Sequence, residues 1–149
     1  MRMRTTSGVF FLLVLAPVMW GCGEKNAGPA VSEIIGTWQA TKDEYVSQTP
    51  PHPSVDLIAA GGTAVLVLNA DSTMVMTETP AGGSPMVLNA TWELTTDLMR
   101  VHPGGMSWYW VWDVSFSGNT LQLTGADKNF DCNGDGTPEA ADWNLTLTR

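Results

Sequence analysis

The chain has 149 residues and a formal net charge of −8, a length that suits one domain. Residues 1–21 read as a targeting segment, and the remaining 128 residues carry five basic against 15 acidic side chains, a formal charge of −10. Because the basic residues are nowhere clustered, the composition argues against nucleic acid and anionic lipid surfaces as partners. A chain of this size buries enough surface for one core without disulfide bonds.

The N-terminal segment has the pattern of an export signal. Arg2 and Arg4 precede an apolar run at 9–16, which is far shorter than the roughly 20 residues that span a bilayer. The run ends at Gly21-Cys22, and this pair resembles a bacterial lipobox, in which a small residue precedes a cysteine that is diacylated and becomes the new N-terminus.

The lipobox resemblance implies a membrane anchor through acyl chains on Cys22 and a flexible tether over 22–32. It also implies a location in the bacterial cell envelope. Gly23 follows the cysteine and resembles the sorting pattern for the outer membrane where two membranes are present. The alternative is an ordinary secretory peptide, with Cys22 free or bridged to Cys132.

From Gly36 onward, apolar and polar residues alternate with a period of two, which indicates strands. Residues 47–61 contain three prolines and are expected to form a loop, and 31–35 could form one helical turn. Turn-forming residues separate the strands, and Met74, Met76 and Met86 are expected to fill the core. The pattern predicts eight strands, at 36–46, 62–69, 73–79, 86–95, 98–102, 107–116, 120–125 and 143–148.

Eight sequential strands with one apolar face each must hide that face and protect two sheet edges. Closure into an antiparallel up-and-down barrel achieves both. We therefore expect an all-β fold, an eight-stranded barrel, with a two-sheet β-sandwich as the alternative.

The first strand opens with Gly36-Thr37-Trp38, and this G-x-W triplet resembles the lipocalin signature. Over residues 33–149 the sequence is similar to the short lipocalin-like domains of bacterial lipoproteins. The resemblance implies that Arg149 packs over Trp38 and closes the barrel bottom near Gly36. It also implies that the barrel interior binds a ligand.

Tryptophan is the residue expected to line such an interior. The predicted ligand-binding residues are Trp92, Trp108, Trp110 and Trp112. Because an eight-stranded barrel is only wide enough to be packed solid or to hold one small ligand, a filled core is the competing interpretation.

One segment near the C-terminus has the spacing of a calcium loop. Oxygen-bearing residues fall at positions 1, 3, 5, 9 and 12 of a twelve-residue segment with Gly136 at position 6, and the spacing resembles an EF-hand loop of the dockerin variant. Such a loop would bind structural calcium weakly, with a dissociation constant on the order of 10⁻⁴–10⁻³ M. A polar hairpin that binds nothing is the alternative. The predicted metal ligands are Asp131, Asn133, Asp135, Thr137, Glu139 and Asp142.

Catalysis is not expected from this sequence. His52 and His102 are its only histidines, each beside a proline in an expected loop, and Cys132 lies among carboxylates that disfavour its thiolate. We therefore expect a monomeric, lipid-anchored binding module of the cell envelope that takes a small apolar or amphipathic ligand. The alternative is an accessory envelope lipoprotein with a solidly packed barrel.

Overall fold

The structure is a computed structural model that describes residues 28–149, so the predicted signal peptide and Cys22 lie outside the described residues. Within this range, no helix has the length and apolar character needed to cross a bilayer. One short helix and nine strands follow in chain order: α1 (Val31–Ile34), β1 (Gly36–Ser47), β2 (Ser54–Asp56), β3 (Thr63–Leu68), β4 (Thr73–Thr79), β5 (Met86–Thr95), β6 (Leu98–Pro103), β7 (Trp110–Ser117), β8 (Thr120–Phe130) and β9 (Glu139–Thr148).

The sheet closes on itself through the pairing of its first and last strands. From β3 to β9 each strand pairs antiparallel with the next, β1 pairs with β3, and β1 also pairs with β9 from Gln39↔Thr148 to Ser47↔Ala141. The predicted eight-stranded barrel is thereby confirmed and the sandwich excluded. The extra strand, β2, pairs only with the last part of β1 at the rim.

The two ends of the barrel differ. We call the end with α1 and the short turns at 69–72, 96–97 and 118–119 the closed end. The open end carries the longer connections at 48–62, 80–85, 104–109 and 131–138. Residues 28–32 were expected to belong to a tether, but they lie on the closed end, where an added Cβ at Gly28 would collide with the carbonyl oxygen of Thr96.

The closed end is organised around one indole ring. Trp38 is fully buried, and its Nε1 donates to the carbonyl oxygen of Ile34 in α1 at 2.8 Å. The guanidinium carbon of Arg149 lies 4.5 Å from the centroid of the Trp38 ring. Arg149 also donates to the carbonyl oxygens of Ile35 and Glu33, and these hydrogen bonds hold α1 against the closed end of the barrel.

Two β-bulges change which residues face the interior. In β1 the register shifts between Ala40 and Lys42, and in β8 it shifts between Leu123 and Ala126. A bulge adds one residue to a strand and so reverses the alternation beyond it. Both bulged strands flank β9. The inward residues beyond the bulges are Asp43, Tyr45 and Ser47 on β1 and Ala126, Lys128 and Phe130 on β8.

Several predicted boundaries were wrong. Strand β8 runs on to Phe130 and β9 already begins at Glu139, because the two strands pair with each other beyond the bulge, which period-two reading does not anticipate. The expected loop at 47–61 contains β2. His102 lies on β6 rather than in a loop, and Met86 is a rim residue that is 54% exposed rather than a core residue.

We predict that Arg149→Ala lowers the free energy of unfolding by about 1–2 kcal/mol, because it removes the cation over Trp38 and two hydrogen bonds to the α1 segment. Urea denaturation followed by tryptophan fluorescence measures the change. Lys42→Ala is the control, since Lys42 forms an exposed pair with Glu44 that contributes little. An Arg149→Ala protein as stable as the wild type would show that the C-terminal arginine does not close the barrel.

Candidate functional site

The open half of the barrel interior contains a chain of polar groups. Lys128 Nζ donates to Tyr45 Oη at 2.8 Å, and Tyr45 Oη donates to Glu78 Oε1 at 3.1 Å. Lys128 Nζ also lies 3.8 Å from Glu78 Oε1 and 3.7 Å from the centroid of the Trp143 ring. Burial lowers the pKa of Lys128, and burial together with the negative charge of Glu78 raises the pKa of Tyr45.

Asp43 adds a second carboxylate to this interior. It is fully buried, and its Oδ1 accepts a hydrogen bond from Trp143 Nε1 at 2.8 Å. Its Oδ2 has no hydrogen-bond partner among the described residues. Burial, reinforced by the charge of Glu78, raises the pKa of Asp43 to about 6. The polar groups of this interior thus include two acidic side chains, Asp43 and Glu78, and one basic side chain, Lys128.

Aromatic rings surround the polar groups. Trp143 stacks on Tyr45 with centroids 5.8 Å apart, and it meets Trp110 and Trp112 edge-on at 5.6 and 4.9 Å. Phe130 stacks on the Tyr45 ring at 4.0 Å. These aromatic contacts pack tightly around Tyr45 and Trp143.

A partly open cavity remains beside the Lys128 ammonium, and the exposed Met86 and Val87 line it at the rim. Its volume is about 140 Å³, and it is partly apolar and partly charged. Apolar cavities of about this size hold a benzene-sized group. The lining residues are Met76, Glu78, Met86, Val87, Leu88, Trp110, Lys128 and Trp143.

A larger cleft of about 480 Å³ lies on the outer surface at the open end, and Trp110 and Lys128 line both the cleft and the cavity. Its other lining residues include Trp108, Tyr109 and Asp127. Several large apolar side chains around the open end of the barrel are unusually exposed, with 45–59% of their surface accessible. They are Met86, Val87, Met106, Trp108 and Tyr109.

The four tryptophans predicted to bind ligand occupy different levels of the barrel. Trp108 and Trp110 line the cleft at the open end. Trp112 is buried below Trp110 and donates to the carbonyl oxygen of Trp143. Trp92 lies towards the closed end, where its Nε1 donates to the carbonyl oxygen of Thr73. The structure therefore brings two of the four to the cavity mouth.

Sequence reasoning missed the polar part of this site. Asp43, Tyr45 and Lys128 follow the bulges, so continued alternation would place them on the outer surface. A glycine inside a strand is the available signal of a bulge, and Gly125 adopts a positive φ of 85° at the bulge in β8.

The predicted calcium loop folds around Asp131. Its Oδ1 accepts hydrogen bonds from the amides of Gly134 and Asp135, and its Oδ2 accepts one from Gly136. Asn133 and Thr137 lie in the same loop, with the Thr137 amide donating to Asp135 Oδ1 at 2.8 Å. These hydrogen bonds turn the carboxylates towards the loop backbone.

The last two predicted metal ligands lie on β9 rather than in the loop. Asp142 Oδ1 accepts a hydrogen bond from Gln48 at 2.8 Å, and Glu139 Oε2 is buried without a hydrogen-bond partner among residues 28–149. In the same range no three His, Cys, Asp or Glu side chains converge as a metal site. Calcium binding by these residues stays a prediction.

Cys132 is buried beside this loop, with its Sγ 3.7 Å from the carbonyl oxygen of Tyr45. Burial raises the pKa of its thiol, and the charges of Glu139 and Asp131 add to that effect. The expectation of a poorly reactive thiol agrees with this direction.

No protein-family model and no curated protein matches this chain. Among solved structures, the chain is similar to EF1p2_mFAP2b bound to DFHBI, with a TM-score of 0.50 and 16% identity over 80% of this chain and 96% of that chain. It is also similar to a de novo designed fluorescence-activating β-barrel, with a TM-score of 0.45 and 8% identity over the same shares. The first likeness shows the fold, a closed antiparallel β-barrel.

We predict that Asp43→Asn stabilises the protein at pH 8 by about 3 kcal/mol and has little effect near pH 4. The folded-state pKa of about 6 exceeds the ordinary value of 3.8, so ionised Asp43 destabilises the fold above pH 6. That penalty disappears as the pH falls from 6 to 4. Urea denaturation at both pH values tests this, with the exposed Asp97→Asn as control. Equal stability of Asp43→Asn and wild type at pH 8 would contradict it.

We predict that calcium titration of the full chain releases or absorbs heat and raises the melting temperature, and that Asp135→Ala abolishes both effects. Asp71→Asn, in a turn at the closed end, should leave them intact. If calcium neither produces heat nor changes melting at millimolar concentration, the loop is only a polar hairpin.

Proposed function

We propose that this protein is a binding protein that takes a small apolar or amphipathic ligand at the open end of its barrel. The observation that carries the proposal is that an exposed cleft and a smaller cavity adjoin each other at the open end. Both are lined by Trp110 and Lys128, so a ligand could place one part inside and another part outside.

The size of the cavity limits what can enter. At about 140 Å³ it is smaller than typical ligand sites, which measure about 300–1,000 Å³. The cleft adds about 480 Å³ of less enclosed space. A ligand with a slender apolar end and a wider outer part matches these two volumes. The solved barrel that shares this fold binds DFHBI, and this supports a small-molecule role for the chain.

The exposed rim favours a second candidate function. Met106, Trp108 and Tyr109 form an apolar surface that could contact another envelope protein while the barrel merely supports it. In that case a larger side chain that fills the cavity would not affect contact with the protein partner. A substitution that fills the cavity therefore distinguishes the two candidate functions.

We further propose that the barrel is tethered in the bacterial cell envelope by acyl chains on Cys22, with calcium stabilising the 131–138 loop. The signal-like segment and the Gly21-Cys22 pair support the anchor. An unmodified Cys22 thiol in the intact mass of the exported protein would exclude it.

We predict that the neutral fluorescent probe N-phenyl-1-naphthylamine binds the purified chain and that Leu88→Trp weakens this binding at least about tenfold. Leu88 lines the cavity, and a larger side chain there occupies the space that the probe needs. Probe fluorescence and quenching of tryptophan emission both measure the affinity.

Val67→Trp is the matched control, because Val67 lies on β3 between the inward-facing Leu66 and Leu68 and points to the outer side of the barrel. It should bind the probe as the wild type does. If Leu88→Trp and Val67→Trp bind equally well, the probe does not use the cavity, and the rim-contact function is favoured.

A further inference from the structure

The barrel wall is split at the open end between β7 and β8. The paired register of these strands runs from Ser117↔Thr120 and ends at Asp113↔Thr124. Beyond it, 110–112 of β7 face 126–130 of β8 without a register pair in the described chain. Trp110 and Lys128 therefore come from opposite strands at this break in the pairing, and the Lys128 ammonium lies 5.9 Å from the centroid of the Trp110 ring.

A groove follows this gap along the outer surface. The cleft of about 480 Å³ is continued by a second one of about 400 Å³, and the two share Tyr109, Trp110 and Asp127. Asp113 lines the second cleft. We call the two clefts together the β7–β8 groove.

Aromatic rings form one side of the groove. Trp108 is 45% exposed and meets Trp110 edge-on at 4.8 Å, and Tyr109 is 50% exposed. Aromatic faces attract cations, and tryptophan does so most strongly. Arg100 lies 5.8 Å from the Tyr109 centroid and is paired with Glu93, so Trp108 is the ring left for a bound cation.

Carboxylates line both strands of the groove, Asp113 on β7 and Asp127 on β8. Asp127 and Asp113 are exposed there, and Asp142 lies beside Asp127, bridged to it by the amide of Gln48. Lys128 is the one basic residue that lines the groove, and its ammonium points inward to Tyr45 and Glu78. The outer surface of the groove is therefore negative.

The barrel interior also contains more acidic than basic side chains. Asp43 and Glu78 face a single ammonium, that of Lys128, in a setting of low polarity. A carboxylate entering the cavity would meet this excess of negative charge, whereas an ammonium group in the groove would meet carboxylates and an aromatic face.

We propose that the ligand is an amphipathic organic cation, with its ammonium group in the β7–β8 groove and its apolar part against Trp110, at the boundary between the groove and the cavity. The inference rests on the proposed function and specifies its ligand class. It distinguishes organic cations from fatty acids, which share the apolar chain but carry the opposite charge.

Displacement of N-phenyl-1-naphthylamine from the full chain tests the proposal, with dodecyltrimethylammonium and dodecanoate as competitors below their micellar concentrations. We expect the cation to displace the probe at a concentration at least about tenfold lower than dodecanoate. Asp127→Asn should reduce this preference several-fold. Trp108→Leu should weaken the binding of the cation more than the binding of dodecanoate.

Asp71→Asn is the control for the overall acidic charge, since it removes the same charge from a turn at the closed end. Equal or better displacement by dodecanoate, or an equal change in Asp127→Asn and Asp71→Asn, would overturn the cation inference while the proposed function stands. Failure of the neutral probe to bind at all would overturn both.

Discussion

Pairing of β1 with β9 is the interaction on which the rest of this structure depends. It converts a linear series of hairpins into a closed wall and joins the two halves of the chain from Gln39 to Ser47 of β1. Without it, two strand edges would be exposed and the inward side chains would face water. The Trp38–Arg149 contact lies at the closed-end limit of this pairing, and Ser47 lies at its open-end limit.

The bulges on either side of β9 divide the barrel into two chemically different halves. Below them, inward positions are apolar and the core is filled around Trp38. Above them, the inward positions include Asp43, Tyr45 and Lys128. Buried charges lower stability unless they are paired, and Asp43 retains an oxygen without a partner among the described residues. This cost is typical of a site kept for binding rather than for stability.

Much of the fold could be predicted from local pattern. Alternation located all eight barrel strands, because each keeps one apolar face, and the Gly-Thr-Trp start placed Trp38 correctly at the closed end. The candidate site could be predicted only in part. Trp108 and Trp110 were expected near a ligand and line the cleft, whereas Glu78 and Lys128 were not considered. Alternation in β4 does place Glu78 on the inward face with Met76, but the bulge in β8 hides the inward position of Lys128.

The sequence by itself determined the eight strands of the barrel wall, the acidic character and the residues available for an export signal, because these depend on order and composition alone. Only the tertiary structure decided where β1 meets β9, that the β7–β8 wall is split, and that Lys128 points inward. The physical reason is that a one-residue bulge reverses the facing of every later side chain in its strand. Its position is set by pairing with a distant strand rather than by neighbours in the chain.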